Sequence, residues 1–102
     1  MQASGRQRFE LLIERFAEHQ RVLGFSPRTV ASYHSHLSFF LAWLAEETDV
    51  EDVTAVTPEV LHGWQTWLYG FADDDGRGLA IATQAARLSV VRSFFRFLVK
   101  TD

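Results

Sequence analysis

Apolar residues recur along this chain at helical rather than strand spacing. Phe9, Leu12, Ile13, Phe16 and Leu23 stand three, four or seven positions apart with Glu and Arg between them, which predicts a first helix over about Gln7 to Leu23. Gly24 supplies a stop. Ser26 followed by Pro27 is a start signal, because the serine oxygen can accept from free amides of the first turn, where proline's missing N–H costs nothing. The second helix runs from there to about Glu46. Val53 and Val56 are expected to tuck inward from an acidic connection, and Thr57 with Pro58 repeats the cap-plus-proline start. A third helix to about Phe71 carries the stripe Val60, Leu61, Trp64, Trp67, Leu68 and Phe71. The segment DDDGRG from Asp73 to Gly78 reads as a loop, and a fourth helix, Ala82 to Val99 at its heart, fills most of the rest. With no internal repeat and no sustained alternation, the fold class is all-α, a single four-helix domain.

Helices 2 and 4 share a second pattern. At about 100° per residue, Val30, Tyr33, Leu37, Leu41 and Leu44 fall on one side of helix 2, with Arg28, Ser32, Ser35 and Phe39 opposite. The opposite side turns apolar midway, at Phe39, Ala42 and Trp43, so neighbours should wrap the C-terminal half and leave the N-terminal half exposed. Helix 4 does likewise. Ile81, Leu88, Val91, Phe95 and Leu98 form its core stripe. Thr83 and Arg87 hold a flank that Val90, Phe94 and Phe97 take over, and Arg92, Ser93, Arg96 and Lys100 stay outward. In an up-and-down bundle these two helices would run the same way, bringing both polar N-terminal halves to one end. Helix starts offer free N–H groups and partial positive charge, so that end suits phosphate and base edges.

Charge adjusts this picture. The 102 residues carry a formal net charge of −3, unusual for a polyanion binder. Its distribution is uneven: residues 46 to 75 hold nine acids and no Lys or Arg, whereas 76 to 101 hold five positive residues and no acid. One face can therefore be positive despite the total. Asp73, Asp74 and Asp75 lie near the same end and must bend away if that face meets phosphate. Forty-seven per cent hydrophobic residues allow one core, and too few residues remain for a second domain. The absence of cysteine removes disulfide and thiolate-metal chemistry and fits a reducing cytoplasm, the expected location. The longest charge-free run, Thr29 to Ala45, is shorter than the roughly 20 apolar residues of a span and contains His34 and His36, so no membrane is expected. Residues 1–6 lack the apolar core of a secretory signal and are expected to be disordered ahead of a domain at 7–102.

The segment SPRTVASYHSHLSFFLAWL resembles the Ser-x-x-Thr-x3-Tyr-x3-Leu-x3-Leu helix of the core-binding domain of tyrosine recombinases of the Xer and phage-integrase type, and ATQAARLSVVRSFFRFL resembles that domain's last helix. The resemblance implies a SAM-like bundle of two crossed helical hairpins that clamps one face of double-stranded DNA, at a recombination site, in a synaptic complex with other recombinase protomers. It implies DNA contacts at Arg28, Thr29, Ser32 and Tyr33 on helix 2 and at Thr83, Gln84 and Arg87 on helix 4, with Arg92 and Arg96 as outlying candidates. Strand cleavage and rejoining would fall to a separate C-terminal domain, so this chain is expected to be non-catalytic, without cofactor or small-molecule substrate. Tyr33 and Tyr69 read as packing or contact residues, not nucleophiles.

Other chemical signals fail on spacing. His34 and His36 lie about 200° apart on a helix and cannot share a metal ion. His19 and His62 add no ligand pattern; phosphate contact is the one functional role open to a histidine, at His36. Aligning Gly76 with the glycine of a calcium loop puts Phe71 and Ala82 at ligand positions, so no metal site is expected. Trp43, Trp64 and Trp67 fit core packing. The competing function is a helical protein-interaction module that uses Glu46 to Glu59 and binds no DNA.

Overall fold

The computed structural model describes residues 4–71 and 76–101. Four helices form, α1 (Gly5–Val22), α2 (Pro27–Glu47), α3 (Pro58–Gly70) and α4 (Ile81–Thr101), with a single 3-10 turn at Val53–Ala55 and no strand among the described residues. Both serine/threonine–proline starts behave as their chemistry requires. Ser26 Oγ accepts from the Thr29 amide at 3.1 Å and Thr57 Oγ1 from the Val60 amide at 3.3 Å.

The first helix begins two residues earlier than its apolar pattern indicates. Ser4 and Gln7 form a reciprocal capping box, Ser4 Oγ accepting from the Gln7 amide and Gln7 Oε1 from the Ser4 amide, so residues 4–6 are ordered by the helix instead of preceding it as a disordered end. At the other end, Gly24 adopts φ 87° and two bonds close the turn, Phe25 N–H to Gln20 O and Gly24 N–H to Arg21 O. This glycine-dependent C-terminal motif turns Leu23 into the cap. Leu23 is consequently 61% exposed and not a core residue. Ile81, at the first position of α4, likewise faces solvent at 84% exposure, and Ala42 is also exposed.

The helices pair as α1 with α2 and α3 with α4, and the two hairpins cross with α2 and α4 in contact and α1 touching α4. The core is contributed by all four. Phe9, Ile13 and Phe16 from α1 meet Leu37, Phe40 and Leu41 from α2, Trp64 and Leu68 from α3, and Val90, Val91 and Phe94 from α4. Trp64 is wholly buried, with the rings of Phe39, Phe40, Trp43 and Trp67 all within 5.9 Å of it. The three tryptophans are thus joints between helices. Val50, Val53 and Val56 pack onto this core from the connection. The start of α1 seals that connection: Arg8 pairs with Asp52, and Gly5 lies so close to the Glu51 carbonyl that a β-carbon there would sit 2.7 Å from the carbonyl carbon.

Candidate nucleic-acid interface

On α2, Arg28 and Ser32 are exposed, with no side-chain hydrogen bond or ion pair among the described residues. Thr29 is half-buried and its hydroxyl lies 2.9 Å from Ser26 Oγ, so it belongs to the cap. Tyr33 is half-buried between the rings of Phe16 and Phe25, each 6.1 Å away, and only part of it reaches the surface. On α4, Thr83 and Gln84 are half-buried, and Gln84 Nε2 donates to the Leu79 carbonyl at 2.9 Å. This amide fastens the segment leading into the helix. Arg92 and Arg96 are exposed, and Arg96 Nη2 donates to Ser93 Oγ at 3.2 Å.

Arg87 is different. Its guanidinium carbon lies 4.0 Å from the centroid of the Phe39 ring on α2, and its Nε and Nη1 are buried without a hydrogen-bond partner among the described residues. Stacking on an aromatic face is worth up to about 2 kcal/mol when desolvated. Burying unpaired donors of a cation works against that gain. His36, one turn before Phe39, is half-buried beside the same group; burial, and after it the charge of Arg87, hold its imidazole below the usual histidine pKa. His34, two residues away, turns instead to Glu14 of α1 at 3.2 Å.

The two helix starts do not lie side by side. Arg87, in the second turn of α4, covers Phe39 in the middle of α2, and Phe40 meets Phe95 at 6.4 Å. Phe25 and Tyr33, by contrast, border one cavity of about 290 Å³ with Ser93, Arg96 and Lys100 near the end of α4. The first half of α2 is therefore flanked by the second half of α4, which follows from crossing the hairpins. The arrangement brings Arg87 to His36 and places Tyr33 near Arg96, but it does not bring Arg28 to Thr83 or Gln84. Helical periodicity missed His36 as Arg87's neighbour, since nothing in either segment alone records the crossing. Between Pro27 and Ala45 on α2 and throughout α4 there is no carboxylate, so these two segments contribute only neutral or basic side chains, while Glu14 of α1 reaches the α2 surface at His34. Asp73, Asp74 and Asp75 lie outside the described residues.

A broader groove of about 810 Å³ runs along α4 against Leu61 of α3, floored by Leu88 and Phe95 and edged by Arg92, Arg96 and Lys100. Among the described residues no cluster of His, Asp or Glu has the grouping of a metal site, and no helix is long and apolar enough to cross a membrane.

Comparison with known proteins places this geometry in context. Residues 13–102 match the family described as phage integrase, N-terminal SAM-like domain. The chain is 36% identical over 75 residues to a tyrosine recombinase XerC of Pelotomaculum thermopropionicum, covering 74% of this chain and 24% of that protein. It is 32% identical over 91 residues to a tyrosine recombinase XerC of Chlorobaculum parvum, covering 87% of this chain and 26% of that one. The chain thus spans about a quarter of the length of these curated relatives. No solved structure matches it. Four helices in two crossed hairpins, and a match over nearly all of the chain, lead to one conclusion: the protein belongs to the phage integrase N-terminal SAM-like domain family.

Proposed function

We propose that this domain binds duplex DNA as the non-catalytic arm of a tyrosine recombinase, holding a recombination site through α2 and α4 while strand cleavage and rejoining take place in another domain. The observation that carries the proposal is the tertiary one. Crossing the hairpins gathers Arg28, Ser32, His36 and Arg87, together with Arg96 near Tyr33, on surfaces of α2 and α4 that hold no carboxylate over Pro27–Ala45 or Ile81–Thr101. The side chains divide by mobility. Arg28 and Ser32 are free to meet phosphates, Thr29 and Gln84 are engaged in the fold and could contribute mainly through what they position, and Tyr33 offers a ring edge. Related recombinase protomers sharing one DNA site would be its natural partners.

Titrating salt against affinity for a labelled duplex tests this. Each phosphate neutralised contributes a slope of about −0.9 in log K against log salt, so three to four contacts give a slope of about −3. Arg28→Ala should lower affinity for all sequences alike and reduce the slope by about one. Absence of binding at low salt, or binding that salt leaves unchanged, would overturn the proposal. The groove edged by Arg92, Arg96 and Lys100, with Val99 beside it 79% exposed, is the feature favouring a protein partner instead. That reading predicts salt-insensitive DNA data and tight binding of an acidic, apolar helix.

A further inference from the structure

We propose that His36 and Arg87 form a single phosphate-binding pair at the crossing of α2 and α4, with Arg87 parked on Phe39 in the free domain and His36 taking a proton from solvent when a DNA phosphate arrives. This rests on the DNA-binding reading above and adds to it a proton linkage located at one residue.

Geometry carries the inference. Arg87 reaches across from α4 to lie 4.0 Å from the Phe39 ring centroid, with Nε and Nη1 buried and unpaired among the described residues. A buried guanidinium is ordinarily matched by a carboxylate or a set of carbonyl oxygens. Neither α2 from Pro27 to Ala45 nor α4 can supply a carboxylate, and on the α3 side the rings of Trp64 and Trp67 lie 5.9 Å from Phe39. The parked position is thus held by an aromatic face, with no hydrogen-bond partner for Nε or Nη1 among the described residues. An external oxyanion offers the missing one, and the guanidinium fork is shaped to meet it with two parallel hydrogen bonds.

His36 is the second half of the pair. The charged group acting on it is Arg87, from α4; on its own helix His34 is turned to Glu14 of α1, and the α3 side chains at the Phe39 joint are the rings of Trp64 and Trp67. Burial and the adjacent cation both favour the neutral imidazole in the free domain. A phosphate drawn to Arg87 opposes both influences, because it adds negative charge beside the imidazole and engages the guanidinium. The imidazole then becomes a second donor to the same phosphate, and affinity rises as pH falls.

The test is fluorescence anisotropy with a fluorescein-labelled mixed-sequence duplex, at fixed ionic strength, from about pH 8 to about pH 6. Affinity should tighten about threefold to tenfold per pH unit, tenfold being the limit for uptake of one proton. His36→Asn should flatten the profile, and His34→Asn, a histidine turned to Glu14, should keep the parental slope. Proton NMR of the His36 ring should show its titration moving to higher pH when duplex is added, and less so in Arg87→Gln. The inference is overturned if His36→Asn keeps the full slope, or if His36 titrates identically with and without DNA. A salt-sensitive affinity with no pH dependence would remove the linkage and leave the DNA-binding reading standing; no binding at any pH would remove both.

Discussion

Gly5 offers a sharp test of how the two hairpins are tied together. It is the first residue of α1, and its Cα faces the backbone of Glu51 so closely that an added methyl would stand 2.7 Å from the carbonyl carbon and closer still to the oxygen. Real side chains do not tolerate that approach to a backbone group, so Gly5→Ala must lift the first turn away from the 48–52 connection. Lifting it loosens the Arg8–Asp52 pair and the seat of Phe9, a core residue only 2% exposed. Overpacking of this kind costs about 1–3 kcal/mol. Alanine's helix preference recovers at most about 1 kcal/mol, and less at a helix end. The net is a loss of about 1–2 kcal/mol, or a melting temperature lower by about 5–15 °C for a domain of this size.

Two other glycines calibrate the effect, measured by circular-dichroism melting of single variants in one buffer. Gly70 closes α3 with open space around it and an ordinary backbone, so Gly70→Ala should be neutral or gain up to about 1 kcal/mol. Gly24 also has open space but φ 87°, so Gly24→Ala should lose about 1–2 kcal/mol through the backbone alone. Hydrogen exchange should localise the Gly5→Ala damage to the first turn of α1 and the 48–52 segment. If Gly5→Ala melts with the parent protein or with Gly70→Ala, α1 does not dock on Glu51 and the account of the first hairpin's closure is wrong.

Further expectations concern the core, the caps and pH. Phe94→Ala, removing a ring 1% exposed and edge-on to Phe16, should cost about 3–5 kcal/mol in urea denaturation; a loss under about 1 kcal/mol would mean the hairpins do not pack through this ring. Ser26→Ala removes the acceptor for the Thr29 amide and the neighbour of its hydroxyl, and should cost about 0.5–2 kcal/mol, whereas Ser32→Ala, exposed on the same helix, should change stability little. For His36 the folded-state pKa lies below the unfolded one, so the unfolded chain protonates first. Its contribution is therefore present above about pH 6.5 and lost as pH falls through that region. The carboxyl of Asp52 is also depressed, first by the Thr54 amide and then by Arg8, so its contribution is present above about pH 4 and is lost in stronger acid. Denaturation midpoints at several pH values should show both declines, with His36→Asn flattening the upper and Asp52→Asn the lower; an upper decline unchanged in His36→Asn would refute the assignment.

Several features were legible because they are local. A serine or threonine before proline announces α2 and α3 through the donors a helix start leaves free, and the observed caps at Ser26 and Thr57 are those residues. The periodic stripes named much of the core, including Phe9, Phe16, Trp64 and Val91, because burial on a helix repeats with the turn, although on α4 the flank residues Val90 and Phe94 are buried more deeply than Leu88, Phe95 and Leu98 of the expected stripe. Two of the errors sit at helix ends. Leu23 and Ile81 continue an apolar period just where the helix stops or has barely begun, and a period cannot report its own limits. Ser4 gave a quieter signal, a capping box with Gln7, that an eye set on apolar spacing passes over.

What residue order settled by itself is the helical class, its two proline-led starts, the stripes that face inward and the segregation of acids into residues 46–75, since each depends on neighbours a few positions apart. What only the tertiary structure decided is which distant residues meet. Crossing the hairpins sets Arg87 on Phe39 beside His36, some fifty positions away in sequence, and sets the start of α2 near the end of α4, not near its start. The physical reason is that a helix fixes the direction of each side chain around its own axis, while the angle between two helices is chosen by how all their bulky rings can be packed at once. Here those rings are Trp64 and its neighbours, and the candidate site is where their packing leaves one arginine with buried donors unpartnered among the described residues.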